Sequence, residues 1–137
     1  QPTEATAWTT HSLSDARTEL AATSVGTKAL FAGGTTVSTA GTTASAVVDI
    51  YNAASGTWST AGLSQARNDL VATTVRTWAL FAGGWSGTAP SNRVDVYDSS
   101  TNSWSTASLS QARVAPAART PASLTKRALV TPSDFSS

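Results

Sequence analysis

The sequence predicts an all-β protein built from a repeated four-stranded antiparallel unit. Three observations predict it. A long motif returns in the same order along the 137 residues. The segments between the motif blocks are short, β-branched and apolar, or alternate with period two as a half-buried strand does. Turn residues punctuate them at regular distances, and no stretch carries a capped helical stripe, so no helix is expected.

The repeat is read first, because it decides the architecture. Trp58-Ser-Thr-Ala-Gly-Leu63-Ser-Gln-Ala-Arg67 returns as Trp104-Ser-Thr-Ala-Ser-Leu109-Ser-Gln-Ala-Arg113. A looser copy opens the chain at Trp8-Thr-Thr-His-Ser-Leu13-Ser-Asp-Ala-Arg17. Ala29-Leu-Phe-Ala-Gly-Gly34 is repeated as Ala79-Leu-Phe-Ala-Gly-Gly84, and Val48-Asp-Ile-Tyr51 as Val94-Asp-Val-Tyr97. Trp8 to Trp58 and Gly34 to Gly84 are 50 residues apart, whereas Val48 to Val94 and Trp58 to Trp104 are 46 apart. The four-residue difference falls between the Gly-Gly and Val-Asp blocks. Residues 35–47 are therefore a longer version of the loop 85–93, since surface loops tolerate insertion and strands do not.

Each unit then reads strand by strand. Residues 20–25 and 70–75 are short and β-branched. Residues 28–32 and 77–82 are near-continuous apolar runs, as in a strand buried on both faces. Val48 and Ile50 alternate with Asp49 and Tyr51, and the second unit does the same with Val94, Val96, Asp95 and Tyr97. Asn52-Ala-Ala-Ser-Gly56 and Asp98-Ser-Ser-Thr-Asn102 are turn sequences leading to fourth strands at 57–61 and 103–107. The expected organisation is a last strand of a preceding unit at 6–13, a first full unit at 18–62, a second at 68–108, and a degenerate partial unit or tail at 114–137.

A Gly-Gly, a downstream Tyr and a Trp in a four-stranded unit of this length resemble the kelch repeat. The resemblance is carried by Gly33, Gly34, Tyr51 and Trp58, and again by Gly83, Gly84, Tyr97 and Trp104. It implies kelch-type β-propeller blades, one per repeat, and a protein-binding or scaffolding role. Some kelch proteins form part of secreted oxidases. The residues have physical roles of their own. The glycines end a strand where positive φ or close backbone approach is wanted. The large aromatics pack between neighbouring blades, where the burial energy lies. Arg17, Arg67 and Arg113 recur at one place, as do Asp49 and Asp95, which points to a structural ion pair or to hydrogen bonds to loop carbonyls. Trp85 has Thr35 as its counterpart and so lies outside the framework; with Trp8 it is the candidate for contact with a partner.

The composition excludes several chemistries. A net charge of +1 gives no footprint for nucleic acid. No apolar run reaches the roughly 18 residues of a membrane helix. Without Cys and with His11 as the single histidine, a thiolate zinc site, a cysteine nucleophile and a copper oxidase centre all lack their ligands. His11 stands where the other copies have Ala61 and Ala107, outside the framework. No catalytic, metal or cofactor-binding residue is assigned, no cofactor is expected, and an enzyme domain is a remote alternative.

Strand arithmetic makes the partner part of the expectation. One strand at the N-terminus, four, four and at most two more give eleven, too few for a ring of about four to eight four-stranded blades. An incomplete propeller leaves blade faces and sheet edges open. The sequence is therefore expected to self-associate with identical chains, the Trp8 strand completing a partner's last blade, as a closed dimer ring or a filament. The alternative is a fragment of a larger kelch scaffold that binds a protein or glycan through loops 35–47 and 85–93. Ser and Thr fill 43 positions, Lys is rare and the chain opens at Gln1 without Met, which suits an extracellular protein.

Overall fold

The computed structural model describes residues 7–114. The described residues form ten strands and no helix. Strands β1 (Ala21–Val25), β2 (Lys28–Ala32), β5 (Val47–Asn52) and β6 (Thr57–Gly62) make one antiparallel sheet in the order β1-β2-β5-β6. Strands β7 (Val71–Val75), β8 (Trp78–Ala82), β9 (Ser91–Asp98) and β10 (Ser103–Arg113) make a second in the same order. These are two antiparallel blades of an incomplete propeller.

The register sorts each blade into two faces. Leu30 stands opposite both Thr23 and Ile50, so Val25, Leu30, Val48 and Ile50 share the first face of blade 1. Ala29, Phe31, Tyr51 and Trp58 share its second face. In blade 2 the corresponding residues are Val75, Leu80, Val94 and Val96 on the first face and Ala79, Phe81, Tyr97 and Trp104 on the second. The core is the junction of the first face of blade 1 with the second face of blade 2. There Val25, Leu30, Val48 and Ile50 pack with Leu70, Ala79, Phe81 and Tyr97. A smaller cluster of Leu80, Ala82, Val94 and Leu109 lies on the other side of blade 2.

The Gly-Gly pairs end β2 and β8 for a steric reason. A Cβ on Gly33 would lie 2.5 Å from the Arg67 carbonyl, and one on Gly83 would lie 2.6 Å from the Arg113 carbonyl. Both glycines also have positive φ. The backbone can then pass close enough for Gly34 to donate to Arg67 O at 2.8 Å and Gly84 to Arg113 O at 2.7 Å.

Two expectations are corrected. Residues 7–13 take no strand. A strand needs a hydrogen-bonding neighbour, and the sheet that this segment would edge is absent from the described residues. The long loop 35–47 holds a hairpin, β3 (Thr35–Ser38) with β4 (Gly41–Ala44), closed by a turn at Thr39 and Ala40 that Gly41 follows with φ 120. Its Thr- and Val-rich arms suit extended backbone, which a reading as plain loop overlooked. The expected partial unit at 114–137 lies outside the described residues except for Val114.

Candidate functional site

The recurring Leu-Ser-x-Ala-Arg motif forms a clasp from one blade to the next. Leu63 packs back on Gly33 of its own blade, its Cδ1 being 3.3 Å from where a Cβ would sit. Four residues on, the Arg67 guanidinium reaches forward to blade 2. Its Nη2 pairs with Asp95 Oδ2, and Nη1 donates to Gly83 O at 2.6 Å and Arg93 O at 2.9 Å. The Ser64 amide donates to the other Asp95 oxygen at 3.0 Å. The sequence left an ion pair and carbonyl bonds as alternatives; one guanidinium makes both. Burial pulls Arg67 below its ordinary range, with Asp95 pulling it back up. It stays a cation, as arginine does in proteins.

A second clasp repeats this on blade 1. Arg17 pairs with Asp49 and donates to Gly33 O, and to Val47 O at 2.9 Å, while the Ser14 amide reaches Asp49 Oδ1 at 3.2 Å. Residues 7–17 thus follow the path a preceding blade's exit would take, although none of them is in a sheet. The fit is poorer. Arg17 Nε is buried without a partner, whereas Arg67 Nε donates to Gln65 O at 3.4 Å. Gln65 Oε1 accepts from Ser91 Oγ at 2.8 Å, but the first clasp has Asp15 at that position. In the third copy, the Arg113 carbonyl seats Gly84 as Arg67's seats Gly34. Asp49 and Asp95 are both spent on these contacts.

The expected aromatics fall into two settings. Tyr97 and Trp104 meet at the blade junction with ring centroids 5.1 Å apart. The Tyr97 hydroxyl accepts from Lys28 Nζ at 2.7 Å and donates to Asn102 Oδ1 at 2.7 Å. Tyr51 and Trp58 hold the same mutual geometry on the outer side of blade 1, where the His11 ring lies 5.6 Å from Tyr51 and 5.9 Å from Trp58. Trp58 Nε1 is buried there without a partner.

Of the two tryptophans expected to meet a partner, Trp8 is almost wholly exposed. The Trp85 side chain is about a third exposed, while its backbone is bonded both ways to Asn68 at 2.8 and 3.0 Å. Thr35, its counterpart, is buried and donates to Glu19 Oε1 at 2.9 Å. The sequence reading missed Trp78. It lies on the first face of blade 2, and Nε1 donates to Asp98 at 3.1 Å. Its counterpart is Lys28, so the break in repetition that singled out Trp85 also marks it. Also missed were Glu19 and Asp69, equivalent residues both at positive φ, where the Asp69 amide donates to Glu19 O at 3.1 Å.

Comparison with known proteins agrees with this geometry. The kelch motif is matched over residues 82–108. The fold is similar to that of YjhT, a kelch-type propeller protein, with TM-score 0.55 and 16% sequence identity over 67% of this chain. The chain spans 38% of that structure's length. Comparison with curated proteins gives no match. The class is a β-propeller built blade by blade from four-stranded sheets. Within it, the chain resembles the kelch-repeat propellers, whose motif it carries at residues 82–108.

Proposed function

We propose that the chain is a non-catalytic kelch module that works outside the cell and self-associates, blades of different chains stacking into a ring or a filament. The observation that carries this reading is a pair of equivalent valines. Val25, on the face covered by blade 2, is 3% exposed; Val75, its counterpart at the outer end of the first face of blade 2, is 47% exposed. Trp78 beside it is 46% exposed. The outer end of an apolar face that is core in one copy of the repeat and exposed in the other, beside the buried Leu80, Ala82 and Val94, is a surface for another blade. Light scattering after size exclusion tests it: a dimer or larger species is expected, and a folded monomer at every concentration overturns it.

A second reading has the chain as part of a larger scaffold that binds a protein or glycan through 35–47 and 85–93. Trp85 favours it, being an aromatic on a pinned backbone that costs little entropy to present. In that case Trp85→Ala abolishes capture of the partner and leaves the oligomeric state unchanged.

A further inference from the structure

Resting on the self-association reading, we infer that blade 2 of one chain stacks directly on blade 1 of a second copy, its C-terminal clasp displacing the copy's own residues 7–17. The internal junction is the template, because each of its contacts has an equivalent on the two outer faces. At the junction Thr23 Oγ1 lies 2.7 Å from Thr74 Oγ1, and Lys28 meets Tyr97. Between copies the same register brings Thr73 to Ser24 and Trp78 to Tyr51, and both Thr73 and Ser24 are exposed. An aromatic pair then replaces the lysine–tyrosine contact, whose ammonium stands 5.4 Å from the Tyr97 ring centroid.

The clasp residues also favour the exchange. Residues 7–17 hold Asp49 but leave Arg17 Nε unpartnered, and they present Asp15 where a glutamine closes the internal junction. Residues 109–113 of the same chain carry that glutamine, Gln111, ahead of Arg113. Seated on a second copy's blade 1, Gln111 accepts from Ser45 as Gln65 accepts from Ser91, and Arg113 takes Asp49 as Arg67 takes Asp95. Residues 7–17 act as a tethered competitor that the stronger clasp replaces. The interface is heterologous, so copies bring two blades each to a ring or a growing filament.

The absence of cysteine makes a direct test possible. Thr23 and Thr74 hydroxyls in contact put their Cβ atoms near the separation a disulfide spans. Ser24→Cys and Thr73→Cys variants, mixed and oxidised, should give a mixed disulfide dimer at least about tenfold above a control pair with Val37→Cys. Within one chain residues 24 and 73 project from the outer sides of two sheets stacked about 10 Å apart, beyond disulfide reach. Arg17→Ala should tighten self-association by about tenfold, because the competing segment loses its charged anchor. No mixed disulfide above the control, in a preparation that light scattering shows to be assembled, overturns the direct stacking and leaves self-association standing through another surface. Weaker assembly of Arg17→Ala also overturns the exchange. A monomer in every experiment overturns both.

Discussion

Blades 1 and 2 carry nearly the same residues in the same register, yet the same residue does different work in each. Tyr97 is buried at the junction and its hydroxyl has two partners, whereas Tyr51 is half-buried on the outer face against His11. Val25 is core and Val75 is surface. In a repeat protein stability resides in the interfaces as much as in the units. The chain shows one interface between blades and, among the described residues, two outer faces that no second blade covers. Breaking equivalent residues in the two blades therefore separates what belongs to the sheet from what belongs to the neighbour.

The largest difference is expected at the clasps. Arg67→Ala leaves Asp95 as an uncompensated buried carboxylate between two blades, a loss of about 3–5 kcal/mol. Arg17→Ala frees residues 7–17 instead, and Asp49 then meets water, so the cost should stay below about 2 kcal/mol. Urea denaturation at one fixed chain concentration compares them. Equal losses would mean that residues 7–17 are as integral as a blade exit. Next in size is Gly83→Ala, where the new Cβ meets a backbone carbonyl that cannot yield; about 3 kcal/mol is expected. Gly56→Ala shares the positive φ but finds open space, and should cost about 1 kcal/mol. Parity between them would remove the close approach as the reason for the Gly-Gly.

The valines come third. Val25→Ala should lose about 2 kcal/mol and Val75→Ala less than about 0.5 kcal/mol in the dispersed chain. The difference should shrink as chain concentration rises, if a second copy covers Val75. Tyr97→Phe, which strands Lys28 and Asn102, should cost about 1 kcal/mol, and Tyr51→Phe close to nothing.

Much of this was legible in the sequence because it was written twice. The arginine and aspartate recur at fixed places in the unit, so their meeting could be anticipated before either had a position. The strands at 28–32 and 78–82 followed from apolar runs that stop at Gly-Gly. What occurs once was harder to read. The β3–β4 hairpin has no second copy to mark it as framework. Trp78 sits inside a repeated strand and was passed over as part of it, although Lys28 at the matching place gave the signal. Residues 7–13 failed in the other direction: their sequence repeats, but a strand's identity rests on its neighbour as well as on its own residues.

The smallest contrast lies in the turns that join the third and fourth strands of each blade, and it is a contrast in titration. Asn52 Oδ1 accepts from the Ala54 amide at 3.0 Å, and Asp98 Oδ1 accepts from the Ser100 amide at 2.9 Å. The geometry is shared, but only Asp98 ionises. The Ser100 hydroxyl at 2.7 Å and its amide hold the Asp98 carboxyl below the ordinary carboxylate range, with Trp78 Nε1 adding to them. A carboxylate lowered on folding stabilises fully above its unfolded value, and that contribution is lost as pH falls through the folded one. Acid should thus loosen the 98–102 turn and leave the 52–56 turn unchanged. The Trp78 indole proton resonance, followed by NMR down through the carboxylate range, reports the change directly. In Asp98→Asn the turn should persist and the titration vanish, since the amide oxygen keeps both Ser100 bonds without ionising, while the Trp78 bond to the second oxygen is lost. If the resonance still titrates in that variant, the proton is binding elsewhere near Trp78, and the two turns differ for a reason other than this carboxylate.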